Sequence, residues 1–151
     1  MAYAQGTTVP VSRSKAEVES ILRKAGATGY MCGWDSERGY TRVQCKLGGR
    51  MLLFEVWEPS VVEMKVTEAG RKRNLTAAKQ AAVKETRRRW RGLVLIIKAK
   101  LEFIETGASS IDAEFLANLM LPDGSTVGSH AMPGVQRAYE TGKMPKLLPG
   151  E

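Results

Sequence analysis

Cysteine is scarce: Cys32 and Cys45 are the only two in 151 residues, too few for a disulfide framework and not at metal-ligand spacing. Histidine occurs once, as His130. No cysteine or carboxylate surrounds it at zinc-site spacing, so it reads as a polar surface residue. No apolar run approaches the ~18 residues of a membrane span; the longest is Leu93–Ile97. Met1–Pro10 lacks the basic start and apolar stretch of a signal peptide, which leads us to expect a cytoplasmic protein with no membrane partner. Nucleophile elbows, phosphate loops, dinucleotide fingerprints and zinc-protease motifs are all missing. Glu102, Glu105, Asp112, Glu114 and Asp123 are explained by helix ends and first turns, where acids are common. A non-enzymatic protein with no catalytic residue, metal or cofactor is therefore expected.

Acid is what the middle of the chain lacks. Lys plus Arg number 23 and Asp plus Glu 16, a net charge of +7. Between Arg71 and Lys100 stand 11 basic residues and a single acid, Glu85, so that window carries +10 and the rest of the chain −3. A local excess of this kind attracts polyanions through phosphate contacts and counterion release.

The patterning predicts an α+β fold: an N-terminal helix, a three-stranded antiparallel meander, a long basic helix and a short helical C-terminal segment. Residues 1–11 read as a flexible leader and residues 12–151 as a single domain. Ser14 and Glu17 have the spacing of a capping box, and Val18, Ile21, Leu22 and Ala25 form one apolar stripe that stops at Gly26. Strands are expected at Thr28–Asp35, Tyr40–Leu47 and Arg50–Trp57, the last two joined by Gly48-Gly49, a two-residue hairpin signal. That turn pairs Cys45 with Leu52 and Val43 with Phe54, and the connection Ser36–Gly39 would put Tyr30, Cys32 and Trp34 on the same, core-facing side. The opposite face would carry Tyr40 with Trp57, Arg42 with Glu55, Gln44 with Leu53 and Lys46 with Met51.

Residues 60–67 fit either a further short strand or an edge, and Glu68–Arg73 reads as a polar, mobile link. Asn74 is suited to cap a helix running to about Glu105, with Leu75, Ala78, Ala82, Thr86, Trp90, Leu93, Ile97, Leu101 and Ile104 as its stripe. Trp90, on that stripe, is a core anchor. A helix capped at Ser109 or Ser110 would follow, with Ile111, Phe115, Leu116 and Leu119 apolar. The turn Leu121–Gly124 and a last helix over His130–Glu140, started or interrupted by Pro133, complete the pattern. The tail leucines, Leu147 and Leu148, are expected to lie back on the body.

The candidate site has two parts. Arg71, Lys72, Arg73, Lys84, Arg87, Arg88, Arg89 and Arg91 would meet phosphates. Tyr40 and Trp57 on the outer sheet face, with Arg42 and Lys46 beside them, would stack exposed bases. Single strands expose their bases, so the expected partner is single-stranded nucleic acid rather than a duplex. Tyr40 and Trp57 equally suit a structural cross-strand pair beneath another element.

The stretch Trp90–Gly107, then Glu114–Ala117, Leu121–Gly128 and Thr141–Gly150, together with the opening Val9–Glu17, resembles a family of small uncharacterised proteins encoded by tailed bacteriophages and prophages. The meander followed by a long basic helix is also similar in topology to the core of phage single-strand annealing proteins. The family resemblance implies a phage-encoded protein acting in the bacterial host cell, and the charge run leads us to expect single-stranded DNA binding in replication or recombination. The alternative is a phage interaction protein that binds and inhibits or redirects a bacterial host protein. Its interface would be the Met31, Met51, Leu53 and Trp57 face. Self-association into a dimer or ring is compatible with either.

Overall fold

The computed structural model describes residues 4–146. They form an α+β fold in the order α1 (Val11–Lys24), β1 (Gly29–Asp35), β2 (Tyr40–Leu47), β3 (Arg50–Trp57), α2 (Leu75–Glu105), α3 (Ile111–Glu114) and α4 (Val127–Thr141). Single 3-10 turns occupy Glu63–Lys65 and Leu116–Asn118. Leu147 and Leu148 lie outside the described residues.

The strands form one antiparallel sheet in the order β1-β2-β3. Its register is the one the Gly48-Gly49 turn dictates: Leu47 pairs with Arg50, Cys45 with Leu52, Val43 with Phe54 and Tyr40 with Trp57. Both turn glycines sit at positive φ, +57° and +75°, a region where a Cβ would clash with the following carbonyl. A one-residue slip would have exchanged the faces. Instead Val43, Cys45, Leu47, Leu52, Phe54 and Val56 all enter the core.

Helices α1 and α2 cover that face. Val18 and Leu22 of α1 meet Trp90, Val94 and Ile97 of α2 over the sheet. Phe115, just past α3, closes one end, edge-on to Phe54 with ring centroids 5.8 Å apart. Asn74 caps α2 as expected, its side chain accepting from the Ala77 amide at 2.8 Å. Leu75, the first residue of the expected stripe, is nonetheless exposed, and burial on α2 begins at Ala78.

Four expectations are corrected. Ser14 and Glu17 make no capping box: α1 starts at Val11 behind an extended Pro10, whose carbonyl accepts from the Arg13 and Ser14 amides. Ser14 is buried inside the helix with its hydroxyl unpartnered among the described residues, and Glu17 reaches across to α2. The expected leader is shorter than residues 1–11, since Val11 already belongs to α1, and within it Ala4 is buried, its carbonyl accepting from the Thr7 amide at 3.2 Å. Cys32 and Trp34 have the expected direction but lie outside the core. β1 is the sheet edge and the helices stop short of it, leaving Cys32 exposed and Trp34 74% exposed.

The fourth concerns Glu68–Arg73, which is an ordered turn rather than a mobile link. Val66 and Lys72 form an antiparallel bridge, the Thr67 amide donates to the Arg71 carbonyl and the Arg73 amide to the Lys65 carbonyl. Farther on, α4 begins at Val127 with a Thr126–Ser129 capping box and contains Pro133, which removes one internal helix bond.

Candidate functional site

The positive segment of α2 spreads around the helix, and its residues meet different surroundings. On the flank toward α1, Arg91 donates to both carboxylate oxygens of Glu17, and Lys98 reaches the same carboxylate at 2.9 Å. These hydrogen bonds, Arg91 first and Lys98 second, hold Glu17 down to about pKa 2, against partial desolvation that pushes the other way. Arg87 lies one turn before Arg91 on this flank and has no carboxylate within ion-pair distance among the described residues.

Another side of α2 forms a trough with the ordered turn that precedes the helix. Arg73, Lys84, Arg88 and Arg89 line it, facing Met64, Val66 and Glu68, around a volume of about 590 Å³. Arg88 and Arg89 share Glu85 as ion-pair partner at 3.4 and 3.2 Å, while Arg73 donates to the Met64 carbonyl at 3.0 Å. Lys84 has no carboxylate partner among the described residues. Arg71 and Lys72, exposed on the turn, likewise make no ion pair there. Of the cations Lys84, Arg87, Arg88, Arg89, Arg91 and Lys98 on α2, the last four share two carboxylates, Glu85 and Glu17, and Lys84 and Arg87 pair with none among the described residues. The field is reduced, not cancelled.

Arg89 joins this flank to the sheet. Its guanidinium donates to the main-chain carbonyl of Trp57 at the end of β3. The hollow beyond is lined by Glu55, Val56, Trp57, Arg89 and Leu93. Trp57 is 52% exposed there. Tyr40 is not available as a second platform, being only 6% exposed. It packs edge-on to Trp57 at 4.9 Å, with the Arg42 guanidinium 5.1 Å from its ring. Arg42 is itself committed to Glu55 at 3.0 Å. Lys46 is exposed but stands at the opposite end of β2 from Tyr40, about 20 Å away at strand rise. The expected constellation therefore divides: Arg73, Lys84, Arg88, Arg89 and Trp57 are contiguous, Arg71 and Lys72 flank them, and Tyr40, Arg42, Lys46, Arg87 and Arg91 do not join.

Sequence reasoning did not anticipate the trough's outer wall, because residues 60–70 carry no periodic pattern. Nor did it link Glu17 with Arg91, 74 residues away.

Asp123, Ser125 and His130 come together at the turn before α4, yet without a relay geometry. One ring nitrogen, Nε2 of His130, faces both the Ser125 hydroxyl at 2.6 Å and Asp123 at 3.3 Å. In a nucleophile–base–orienter set the carboxylate engages the other nitrogen. The Ser125 hydroxyl and amide hold Asp123 below its ordinary carboxylate range. Among the described residues no three His, Cys, Asp or Glu side chains gather where they could hold a metal ion. No helix among them is long and apolar enough to cross a membrane.

Comparison of the chain with protein-family models, with curated proteins and with solved structures finds no match.

Proposed function

We propose that this chain is a non-enzymatic, phage-encoded protein that binds single-stranded nucleic acid, with single-stranded DNA in replication or recombination as its target. The observation that carries the reading is the run of Arg73, Lys84, Arg88 and Arg89 along the trough, with Arg89 shared by the hollow at the half-exposed Trp57 and with Arg71 and Lys72 exposed next to Arg73 in the turn. Cations along such a trough follow a phosphate backbone, and one aromatic ring at its end stacks a base for ~1–3 kcal/mol. The uncommitted cations, Arg71, Lys72 and Lys84, set the scale of the salt response. Three to four neutralised phosphates of a single strand give a logarithmic slope of about −2 to −3.

The test is a salt titration of the full chain against a fluorescent single-stranded oligonucleotide, with a duplex of the same sequence as competitor. Binding that weakens with that slope and prefers the single strand is expected. Absence of binding at ~50 mM salt, or a slope near zero, overturns the proposal.

A second reading has its own observation. Met31, Met51 and Trp57 are exposed on the outer sheet face, and methionine and tryptophan are enriched where proteins meet. In this reading the chain binds a bacterial host protein. Its expected sign is a partner that survives nuclease digestion and is lost on Met51→Lys.

A further inference from the structure

We propose that β1 is an open edge through which two copies of this chain join, antiparallel about Cys32, into one continuous six-stranded sheet.

The main-chain bonding directions support it. At β3, the Met51 carbonyl accepts from the Met120 amide, the Leu53 carbonyl from the Asn118 side chain and the Trp57 carbonyl from Arg89. Residues 51, 53 and 57 therefore point away from β2, and 50, 52, 54 and 56 point toward it. Because pairs alternate strictly across an antiparallel ladder, their partners 47, 45, 43 and 41 face β3, while 46, 44, 42 and 40 face β1. Gly29, Met31, Gly33 and Asp35 answer them. That leaves the amides and carbonyls of Tyr30, Cys32 and Trp34 directed outward, and no hydrogen bond among the described residues reaches them. One edge of the sheet is thus closed by the chain's own segments and the other is bare.

β1 also lacks the features that keep an edge solitary. It has no proline and no lysine, and its sole charge is the terminal Asp35. Both faces are clear: Met31 is 63% exposed on one and Trp34 protrudes from the other.

A second copy fits this edge better than an unrelated strand. With the two-fold at Cys32, Tyr30 lies opposite the partner's Trp34, Met31 opposite the partner's Gly33, and Gly29 opposite the partner's Asp35. Aromatics meet aromatics, and the long methionine meets a residue without a side chain. Charge is complementary as well. Lys24, at the end of α1 just before the strand, and Glu37, just after it, have no ion-pair partner among the described residues. Antiparallel pairing brings each toward the other's counterpart.

The full chain is examined by sedimentation equilibrium at micromolar concentration and treated with a short bis-maleimide. The expected species has twice the 16.6 kDa chain mass. Cross-linking through Cys32 is expected, since directly opposed residues of such a pair have Cα atoms ~5.5 Å apart. It is lost in Cys32→Ser and retained in Cys45→Ser, the Cys45 thiol being buried. Cys32→Pro removes only an outward amide, which leaves the β1–β2 ladder intact, and should yield monomer with an unchanged circular dichroism spectrum. Trp34→Lys, at an exposed position, should likewise yield monomer and probes the same edge should the proline variant not fold. A monomeric wild-type chain overturns the proposal. So does a dimer that resists both Cys32→Pro and Trp34→Lys, and one broken instead by Ile96→Lys on the exposed face of α2 places the contact there.

Discussion

Glu17 of α1 holds Arg91 and Lys98 of α2 at the same time, so one carboxylate clamps two helices that the whole meander separates in sequence. Its pKa of about 2 lies below the ordinary 4.5. A depressed carboxylate stabilises the fold fully above its unfolded value and loses that contribution as pH falls through the folded one. Stability should therefore decline between about pH 4.5 and pH 2. The pair is partly exposed, so the loss amounts to about 1–2 kcal/mol. Urea midpoints against pH check this, and Glu17→Gln should flatten the decline.

Ser14 is expected to be a liability. Its hydroxyl is buried without a partner among the described residues, in a helix where alanine is the better residue. Ser14→Ala should stabilise the protein by about 1 kcal/mol, raising the urea midpoint with the slope unchanged.

The two turn glycines should differ in sensitivity. Gly49 needs only its positive φ, and alanine there meets open space, so Gly49→Ala should cost about 1–2 kcal/mol. At Gly48 an added Cβ would also lie 2.6 Å from Cδ1 of Ile111, and Gly48→Ala should cost more, up to about 3 kcal/mol. Ile111→Val removes that methyl. In its background the two glycine substitutions should converge, which a double-mutant cycle reads directly.

The basic residues should separate by role. Lys84→Glu with Lys72→Glu is expected to weaken single-strand binding and make the salt slope shallower by about 1 or more, with little change in stability. Arg91→Gln is expected to lower stability by about 1–2 kcal/mol, since it leaves Glu17 less well paired, while the slope stays nearly constant. Trp57→Ala should weaken binding without altering the slope, because stacking releases no counterions. Melting curves run beside the titrations separate loss of fold from loss of contact.

Local rules reached much of this molecule. The Gly48-Gly49 turn, read with the alternation of residues 40–57, predicts every β2–β3 pair, and the Asn74 cap predicts where α2 begins. Such signals are legible because each depends on a few neighbouring residues. Ser14 and Glu17 show the failure of the same logic. Their spacing suits a capping box, but Pro10 starts the helix earlier and tertiary contacts claim both side chains. Cys32 and Trp34 have the direction their alternation implies, yet only the lateral reach of the helices determines that β1 stays uncovered.

The candidate site divides in the same manner. The chain alone determines that positive charge is concentrated between Arg71 and Lys100, because charge is counted without knowing the fold. Which of those cations remain uncommitted was decided by folding. Glu17 arrives from 74 residues away, the turn at residues 66–72 builds the trough's far wall, and Tyr40 disappears beneath Trp57 and Arg42. Distances between distant segments are set by packing, and no local pattern encodes them.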